Sequence, residues 1–439
     1  MRKRIVMCSL LTAGLLMSQM TGCGAEEEKS ASTETKETEE SEKSQSEGIR
    51  VLNGKVEIDV ALKQYAKEYE ERTGVPVKIE TVGGGADANQ VLKSYMLSEN
   101  MPDIYTFGGQ GDYELWKEYM ADLSNEKWVS DTEYCFIGES GEVVGFPYTV
   151  EGYGLSYNKD MLDKAGIDPA GLTTIDAYAE AFEKLDSMKE ELGIDAVVSM
   201  GGSTSGQLGW VTGQHDFGVY LSTGLEHGDT SILEKMLNGE VDEERLSQYA
   251  DFVELLFKYS DPTVLASGTY DDQITLWESE KAVFIHQGSW LDATLVQHGT
   301  VDKFAMGMSP LAFSHEVTDG IQAGPPSYWA VYNESKHMDE AKAFLDALAL
   351  EEEGQDFLVN QAKLVSPYKS CKQIPSTPLA KNLMEWIQKG TTYDQVCLMM
   401  PNAFGTDELA PIFELFGNGS LDKSQFIDYI KEAIAGLKE

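Results

Sequence analysis

Basic residues are scarce in this chain. Its 439 residues include 34 Lys and Arg against 74 Asp and Glu, which gives a formal net charge of −40. Proteins that bind nucleic acid or dock on anionic lipid need clustered positive charge. The composition therefore excludes nucleic acid as a partner and excludes a basic membrane-docking face. It also disfavours strongly anionic ligands, because no local cluster of Lys and Arg interrupts the acidic sequence.

Cysteine is also rare, with five in the chain. Cys8 lies in the N-terminal apolar stretch and Cys23 follows it, so Cys135, Cys371 and Cys397 remain for the folded part. These three lack Cys-x-x-Cys spacing, and an odd number cannot pair completely. The pattern allows one disulfide, Cys371–Cys397, or three buried thiols.

Motifs for catalysis, metals and cofactors are missing or incomplete. The six His show no His-Glu-x-x-His or other tight ligand spacing. Residues 366–369 fit Ser-x-x-Lys without the partner motifs of penicillin-recognising enzymes. Residues 83–88 fit Gly-x-Gly-x-x-Ala, loosely like a dinucleotide fingerprint, but the same glycines better serve close backbone approach to a neutral ligand. We predict no cofactor, no metal site and no catalytic residue, and therefore a protein that is not an enzyme.

The sequence contains one long apolar stretch, which lies at the N-terminus. Residues 5–20 form an apolar run after three basic residues at 2–4. The run is shorter than the about 20 residues that a spanning helix needs, so it is typical of a secretory signal. It ends in Met-Thr-Gly-Cys at 20–23, which resembles the bacterial lipobox with Met20 in place of the usual Leu. We predict a lipoprotein signal peptide over 1–22 and lipidation of Cys23.

The next segment, residues 23–48, is acidic and lacks aromatic and branched aliphatic residues. Such a segment cannot bury enough apolar surface to offset the entropy of ordering, so we expect a disordered tether. Lipid, tether and folded body together predict a protein held on the extracellular face of the cytoplasmic membrane of a Gram-positive bacterium. The lipid anchor would be its only attachment to the membrane.

The remaining residues alternate between strand and helix patterns and are too many for one compact core. Strands are expected at 56–60, 75–82 and 103–107, with helices at 62–69 and 89–98 between them. This βαβαβ order favours a parallel sheet in an α/β lobe. Further helices are expected at 175–192, 243–259, 339–350, 379–389 and 423–437, with Thr174 and Ser420 as N-caps of the first and last.

Several segments in this order resemble one family, the extracellular solute-binding proteins of ABC importers, in the branch that mostly carries sugars and oligosaccharides. The strongest is the Gly-Phe-Pro-Tyr-Thr-Val-Glu-Gly-Tyr-Gly-Leu-Ser-Tyr-Asn-Lys-Asp block at 145–160. It follows Pro-Asp-Ile at 102–104 and precedes Ala-Gly-Ile at 165–167. Downstream, Glu-Lys-Ala-Val-Phe at 280–284 leads to Gly-Ser-Trp at 288–290, with Glu280 where the family has Gly.

The resemblance implies an α/β fold of the two-lobed periplasmic-binding-protein type, also called a Venus flytrap, with a cleft between the lobes. Chain crossings are expected near 148–152, 325–329 and 364–368. Lobe 1 would then comprise 49–149 plus 330–367, and lobe 2 would comprise 150–329 plus 368–439. A ligand would sit outside the strand ends, and the protein would be a monomer.

For sugars, a binding site needs aromatic plates for the C–H faces and polar groups for the hydroxyls. We expect the ligand-binding residues to be Trp290, Trp210, Tyr148, Glu151, Tyr153, Trp329, Phe107, Gln110, Asp87 and Asn89. The expected partners are a sugar or oligosaccharide and the permease subunits of an ABC importer. Two alternatives stay open: another organic solute such as a peptide or polyamine, and an extracellular glycoside-active enzyme or surface-sensing lipoprotein using the same cleft.

Overall fold

The computed structural model describes residues 48–83 and 87–438. The predicted signal peptide, the lipidated Cys23 and the tether lie outside these residues, apart from Gly48 at the end of the tether. The glycine-rich fingerprint at 83–88 is described only in part. No helix of the described ranges is long and apolar enough to cross a membrane.

The described residues form strands and helices in mixed order. The strands are β1 Ile49–Asn53, β2 Val77–Thr81, β3 Ile104–Phe107, β4 Phe136–Ile137, β5 Val143–Pro147, β6 Glu151–Asn158, β7 Ala196–Ser199, β8 Ala282–Gly288, β9 Met306–Ser309, β10 Ile321–Gly324, β11 Tyr328–Val331 and β12 Thr392–Asp394. The α-helices are α1 Asp59–Thr73, α2 Ala88–Leu97, α3 Gln110–Trp116, α4 Lys159–Ala165, α5 Ile175–Ser187, α6 Lys189–Leu192, α7 Phe217–Ser222, α8 Ser231–Leu237, α9 Glu243–Lys258, α10 Pro262–Ser267, α11 Tyr270–Glu278, α12 Leu291–His298, α13 Met338–Leu350, α14 Glu352–Asp356, α15 Pro378–Lys389, α16 Ala410–Gly417 and α17 Lys423–Ala435. Three π-helices occur at Trp210–Asp216, Phe357–Gln361 and Phe404–Leu409.

The strands form two sheets, one in each lobe. The first has the order β2-β1-β3-β11-β5-β4, and the second has the order β12-β10-β6-β8-β7 with β9 also paired to β6. In the first sheet β1 pairs in parallel with β2 and β3, so the expected parallel βαβαβ order is confirmed, with its first strand at Ile49–Asn53 instead of 56–60. Strand β1 buries alternate side chains in separate cores, Val51 on one face and Leu52 on the other. Both faces are therefore covered, as is usual for a parallel sheet.

The chain passes between the two sheets at short connections. Residues 148–150 join β5 to β6, and residues 325–327 join β10 to β11. The third passage follows the π-helix at 357–361, where the amide of Val150 donates to the carbonyl of Val365 at 2.9 Å. Strand β11 belongs to the first sheet from Tyr328 onward. These passages lie side by side, so a hinge between the sheets involves neighbouring backbone segments.

Two sequence expectations about local structure are wrong. Residues 56–60 are not a strand, because a 3₁₀ turn occupies 56–58, α1 begins at Asp59, and the side chains of Val56 and Val60 are exposed. Ser420 does not cap α17. Asp422 does, with its carboxylate accepting from the amide of Gln425 in a capping box. By contrast, Thr174 caps α5 as predicted, and its hydroxyl accepts from the amide of Ala177.

The structure also decides between the two arrangements that the sequence left open for the thiols. Cys135, Cys371 and Cys397 are all free, so the structure contains no Cys371–Cys397 disulfide. Cys371 packs against the core of the first sheet, whereas Cys397 belongs to the core of the second. A bridge between them would have to join two separate cores. Burial raises the pKa of Cys135 to about 11 and that of Cys397 to about 12, which keeps both as thiols at neutral pH.

Candidate ligand-binding cleft

A cavity of about 1170 Å³ lies where the two lobes face each other. Its lobe 1 wall is built at the carboxyl ends of the parallel strands, where the backbone leaves the sheet. The segment after β1 contributes Lys55 and Glu57, and the N-cap and first turn of α2 contribute Asp87 and Asn89. The end of β3 and the first turn of α3 complete this wall with residues 106–108, 111 and 112.

The lobe 2 wall carries the aromatic groups. Trp210, His215, Tyr270 and Trp290 all line the cavity from this side. Trp210 and His215 are five residues apart, which on an α-helix would place them on different faces. Here they share a π-helix, whose wider turn brings residues i and i+5 together, and their rings lie 5.6 Å apart. The local winding of the helix therefore supplies two neighbouring side chains to one wall.

A second π-helix, Phe404–Leu409, supports the first and also lines the cavity. The two meet backbone to backbone at Gly213 and Gly405, where a Cβ on Gly213 would overlap the Gly405 carbonyl oxygen. Only glycine at 213 permits this approach. The second π-helix contributes Gly405, Thr406 and Asp407 to the cavity wall.

Trp290 lies flat in the lobe 2 wall. Its ring stacks on Tyr153 with 5.9 Å between centroids and 11° between planes, and it lies 5.3 Å from the ring of His215. The indole Nε1 donates to Oε1 of Gln287 at 2.8 Å. The residue is 5% exposed, so its ring is mostly covered by protein and presents a limited area to the cavity.

A buried ion pair crosses from lobe 1 to the first crossing segment. Nζ of Lys55 lies 2.5 Å from Oε1 of Glu151 and 3.6 Å from Oε2 of Glu57, and the side chains of Lys55 and Glu151 are 8% and 4% exposed. Burial lowers the pKa of Lys55, but the two carboxylates outweigh that effect and raise it above the usual range. Lys55 is therefore held as a cation at the point where β6 begins.

Two crossing segments are tied together at the cavity by hydroxyl groups. The hydroxyl of Tyr148 lies 2.5 Å from that of Ser327, and both residues line the cavity. Tyr148 also stacks on Trp329 with ring centroids 4.7 Å apart. Burial raises the pKa of Tyr148 to about 12, so its hydroxyl stays protonated and able to donate.

The walls also touch directly at the cavity edge. We call this the rim contact: residues 108–112 of lobe 1 against residues 398–402 of lobe 2. Nδ2 of Asn402 donates to Oδ1 of Asp112 at 2.6 Å, and Asp112 also accepts from Nδ2 of Asn89 and from the amide of Gly108. Gly109 and Gly111 allow the close approach, since a Cβ on either would overlap backbone atoms of residues 398–402. The rim contact therefore joins the two lobes through backbone and side-chain atoms at the cavity wall.

Acidic groups dominate the charge of the cavity. Among the lining residues of the described ranges, Lys55 is the one Lys or Arg, against six carboxylates at Glu57, Asp87, Asp112, Glu151, Asp271 and Asp407. Coulomb repulsion therefore opposes an anionic ligand. Within the described part of the chain no group of three or more His, Cys, Asp or Glu side chains is placed to hold a metal ion.

His215 presents an imidazole whose Nδ1 is buried and has no hydrogen-bond partner in the protein. Burial, together with the nearby His286 and Lys55, lowers its pKa to about 4. The ring is therefore neutral at physiological pH. His215 lines the cavity, and its Nδ1 is a polar atom that no protein group satisfies.

The depressed pKa of His215 predicts a loss of stability in mild acid. The unfolded chain takes up a proton near pH 6.5, whereas the folded protein resists until about pH 4, so unfolding is favoured as pH falls through this window. We expect His215→Gln to remove about 1–3 kcal/mol of this pH dependence between pH 7 and pH 4.5. Urea unfolding of both proteins at several pH values measures it, with His337→Gln, a half-buried histidine at the N-cap of α13, as control. Parallel pH profiles for wild type and His215→Gln would contradict the prediction.

Seven of the ten residues expected from the sequence line the cavity: Trp290, Trp210, Tyr148, Glu151, Phe107, Asp87 and Asn89. Their surroundings differ. The carboxylate of Asp87 caps α2 by accepting from the amide of Asn89, and Asn89 has both ends of its amide engaged by Asp112 and Trp116. Phe107 is 1% exposed and stacks on Tyr328.

The other three expected residues do not line the cavity. Trp329 is fully buried, because it packs between Phe146 and Tyr148 in the core of the first sheet. Tyr153 lies beneath Trp290, and its hydroxyl contacts Nε2 of His286. Gln110 donates to Glu114 along α3. In this structure these side chains pack within the protein or along its surface.

Several lining residues were not expected from the sequence: Lys55, Glu57, His215, Tyr270 and the segment 397–407. Lys55 could have been found by the strand-end rule if β1 had been placed at 49–53. The segment 397–407 has no motif that predicts its position. Its contribution depends on the backbone contact between the two π-helices.

Two mixed sheets joined by short crossings, with a large cavity at their facing edges, define a two-lobed binding protein of the Venus-flytrap type. Residues 54–355 match the family model described as bacterial extracellular solute-binding protein. The chain belongs to this family.

Known proteins extend the comparison. The chain is 25% identical over 353 residues to the melibiose/raffinose/stachyose-binding protein MelE of Bacillus subtilis, covering 77% of this chain and 76% of that protein. A sugar transporter from Bacillus licheniformis, solved in complex with stachyose, superposes with a TM-score of 0.69 at 19% identity, over 89% of this chain and 100% of that one. RafE in complex with raffinose superposes with a TM-score of 0.68 at 17% identity, over 89% of this chain and 100% of that one. These two structures establish the shared two-lobed fold.

Proposed function

We propose that the protein is the lipid-anchored substrate-binding component of an ABC importer, which captures an oligosaccharide between its lobes and delivers it to the permease. The observation that carries the proposal is the pairing of two unlike walls across one cavity. Aromatic rings from Trp210, Tyr270 and Trp290 face polar side chains from lobe 1. Sugars require both, since their rings offer apolar C–H faces and hydroxyl edges.

The size and charge of the cavity support the same ligand class. A volume of about 1170 Å³ exceeds the roughly 300–1,000 Å³ typical of small-molecule sites, so it suits a chain of several sugar units. The excess of carboxylates opposes anionic ligands, and the relatives named above bind or are solved with neutral galactosides such as raffinose and stachyose. Lys55, His215 and Tyr148 offer donors and an acceptor for hydroxyl groups.

The finer parts of the proposal rest on the sequence. Cys23 after the predicted signal peptide would carry the lipid, and residues 24–48 would let the body move above the membrane. The sequence places the lobe boundary at 329/330, but β11 pairs within the first sheet from Tyr328, so we propose lobes of 49–149 with 328–367 and of 150–327 with 368–439. The function involves binding and release without turnover.

A ligand panel tests the function. Melting temperatures measured with melibiose, raffinose, stachyose, maltotriose and spermidine should rise for one or more oligosaccharides. A ligand at 100 times its dissociation constant adds about 2.7 kcal/mol to the free energy of unfolding. The acidic cavity wall makes spermidine the informative competitor. A shift with spermidine alone would replace the sugar by a cationic solute, and release of monosaccharides during incubation would indicate an enzyme.

Trp290→Ala should weaken binding of the best oligosaccharide by about 1–3 kcal/mol, the scale of exposing a large apolar surface. Because the ring also packs on Tyr153, the variant should lose stability as well, so calorimetric titrations must be run well below its melting temperature. Trp386→Ala is the matched control. Its indole is half-buried against the same lobe and does not line the cavity. Equal affinity losses in the two variants would remove Trp290 from the site.

A further inference from the structure

The orientation of Trp290 depends on two buried amides that do not touch the cavity. Gln287 lies in β8 and Gln273 in α11, and both side chains are fully buried. Oε1 of Gln287 accepts from the Trp290 indole at 2.8 Å, while its Nε2 donates to Oε1 of Gln273 at 2.8 Å. The three side chains form one continuous chain of hydrogen bonds.

The direction of every bond in this chain is fixed at its far end. Nε2 of Gln273 donates to the backbone carbonyls of Ser199 and His286, at 3.0 and 3.3 Å. A carbonyl only accepts, so the amide nitrogen of Gln273 must face these two groups and its oxygen must face Gln287. Gln287 must then turn its nitrogen to Gln273 and its oxygen to Trp290. Neither amide can flip without placing two acceptors or two donors against each other.

Packing restricts the same ring from below. A Cβ on Gly288 would overlap the six-membered ring of Trp290, so the indole lies directly over this glycine. The ring of Tyr153 also stacks nearly parallel to the indole of Trp290. Contacts with the face of the ring leave it free to slide or rotate within its own plane. The hydrogen bond to Gln287 removes this freedom, because it fixes the position of Nε1.

We propose that Gln287 and Gln273 are positioning residues that set the plane and register of Trp290 as the stacking surface for the ligand. The inference rests on the proposed oligosaccharide-binding function for its effect on affinity, but the ordering of the ring is a property of the protein alone. It extends the set of residues that determine specificity into the core of lobe 2. A ligand that stacks on Trp290 then meets a ring whose position is already fixed, which lowers the entropic cost of binding.

The first experiment measures the ring without any ligand. The full chain labelled with 5-fluorotryptophan should give seven ¹⁹F signals, one for each Trp, and the Trp290 signal is assigned by its loss in Trp290→Phe. Gln287→Met keeps the side-chain volume but leaves the indole without an acceptor, so the Trp290 signal should shift and broaden. Gln273→Met should do the same through Gln287, and it serves as the second variant if Gln287→Met folds poorly.

A matched control separates this effect from a general loss of buried hydrogen bonds. Gln322 lies in β10 of the same sheet, is 2% exposed, and donates to the carbonyl of Gly218 and the hydroxyl of Ser222, each at 2.8 Å. Gln322→Met therefore loses two buried hydrogen bonds, neither of which belongs to the chain of bonds that ends at Trp290. Its Trp290 signal should stay in place. An unchanged Trp290 signal in Gln287→Met, or an equal change in Gln322→Met, overturns the proposal.

The second experiment measures raffinose and stachyose affinity. Gln287→Met should weaken binding by about tenfold, because a buried indole N–H without a partner favours other ring positions, and Gln322→Met should stay within about twofold. In the Trp290→Phe background, which has no indole N–H, Gln287→Met should change affinity by less than about twofold. A tenfold loss that persists in this background overturns the positioning role. If wild type binds no oligosaccharide of the panel, the proposed function fails while the ¹⁹F signals still decide the positioning role.

Discussion

Glu151→Ala is expected to destabilise the protein by about 3–5 kcal/mol, because it leaves the Lys55 ammonium buried without its closest counter-charge. The remaining carboxylate, Glu57, lies 3.6 Å from Nζ and cannot fully compensate. Urea unfolding at pH 7 measures the loss. An exposed pair gives the scale for comparison: Lys67 and Glu71 on α1 are about two-thirds exposed, and Glu71→Ala should cost no more than about 1 kcal/mol.

The double variant Lys55→Met/Glu151→Leu separates stability from binding. Replacing both members of a buried ion pair by apolar residues of similar size is often neutral or stabilising, so its unfolding free energy should return close to wild type. Its affinity for the best oligosaccharide should remain below that of wild type, since both residues line the cavity. A double variant as unstable as Glu151→Ala would mean that the pair is not the source of the effect.

Gly111→Ala is expected to weaken ligand binding by about tenfold or more without unfolding either lobe. An added Cβ would lie 2.5 Å from the amide nitrogen of Asn402 and 3.0 Å from the carbonyl oxygen of Met400, so the rim contact could not form. Within α3 itself Ala is favoured over Gly by about 0.5–1 kcal/mol, so lobe 1 should not lose stability. A tenfold loss corresponds to about 1.4 kcal/mol removed from the closed state.

Solution scattering distinguishes this mechanism from damage to the cavity. Saturating oligosaccharide should reduce the radius of gyration of wild type, because a ligand touching both lobes favours the closed state, and should reduce it less in Gly111→Ala. Gly436→Ala is the control, since a Cβ there meets no atom within 4 Å. Wild-type affinity and wild-type compaction in Gly111→Ala would show that the rim contact plays no part in closure.

The sequence predicted the fold well because the fold depends on periodic patterns and on ordered motifs. The parallel β1-α1-β2-α2-β3 unit and most later helices follow from these patterns. The error at β1 had a direct cost. Val56, Ile58 and Val60 alternate like a strand, but Val56 and Val60 are exposed and the true strand ends at Asn53. With the strand placed too late, Lys55 was not recognised as a strand-end residue.

The site was less predictable because parts of it depend on long-range backbone contacts. Trp210 follows a glycine-rich stretch and was expected to reach the cleft, but its neighbour His215 reaches it only through the π-helix. The π-helix in turn packs on residues 404–409, almost 200 positions further along the chain. Trp329 shows the opposite case, since its place at a crossing predicted a ligand contact while its neighbours Phe146 and Tyr148 enclose it.

The backbone contact between Gly213 and Gly405 has a consequence for how this cleft can change its ligand. The two π-helices contact each other through main-chain atoms at these glycines, so this contact does not require the side chains that they present to the cavity. Positions 210, 214, 215, 406 and 407 can therefore accept new residues while the frame beneath them stays intact. A library restricted to these five positions, with both glycines kept, is a direct route to a sensor for a different sugar.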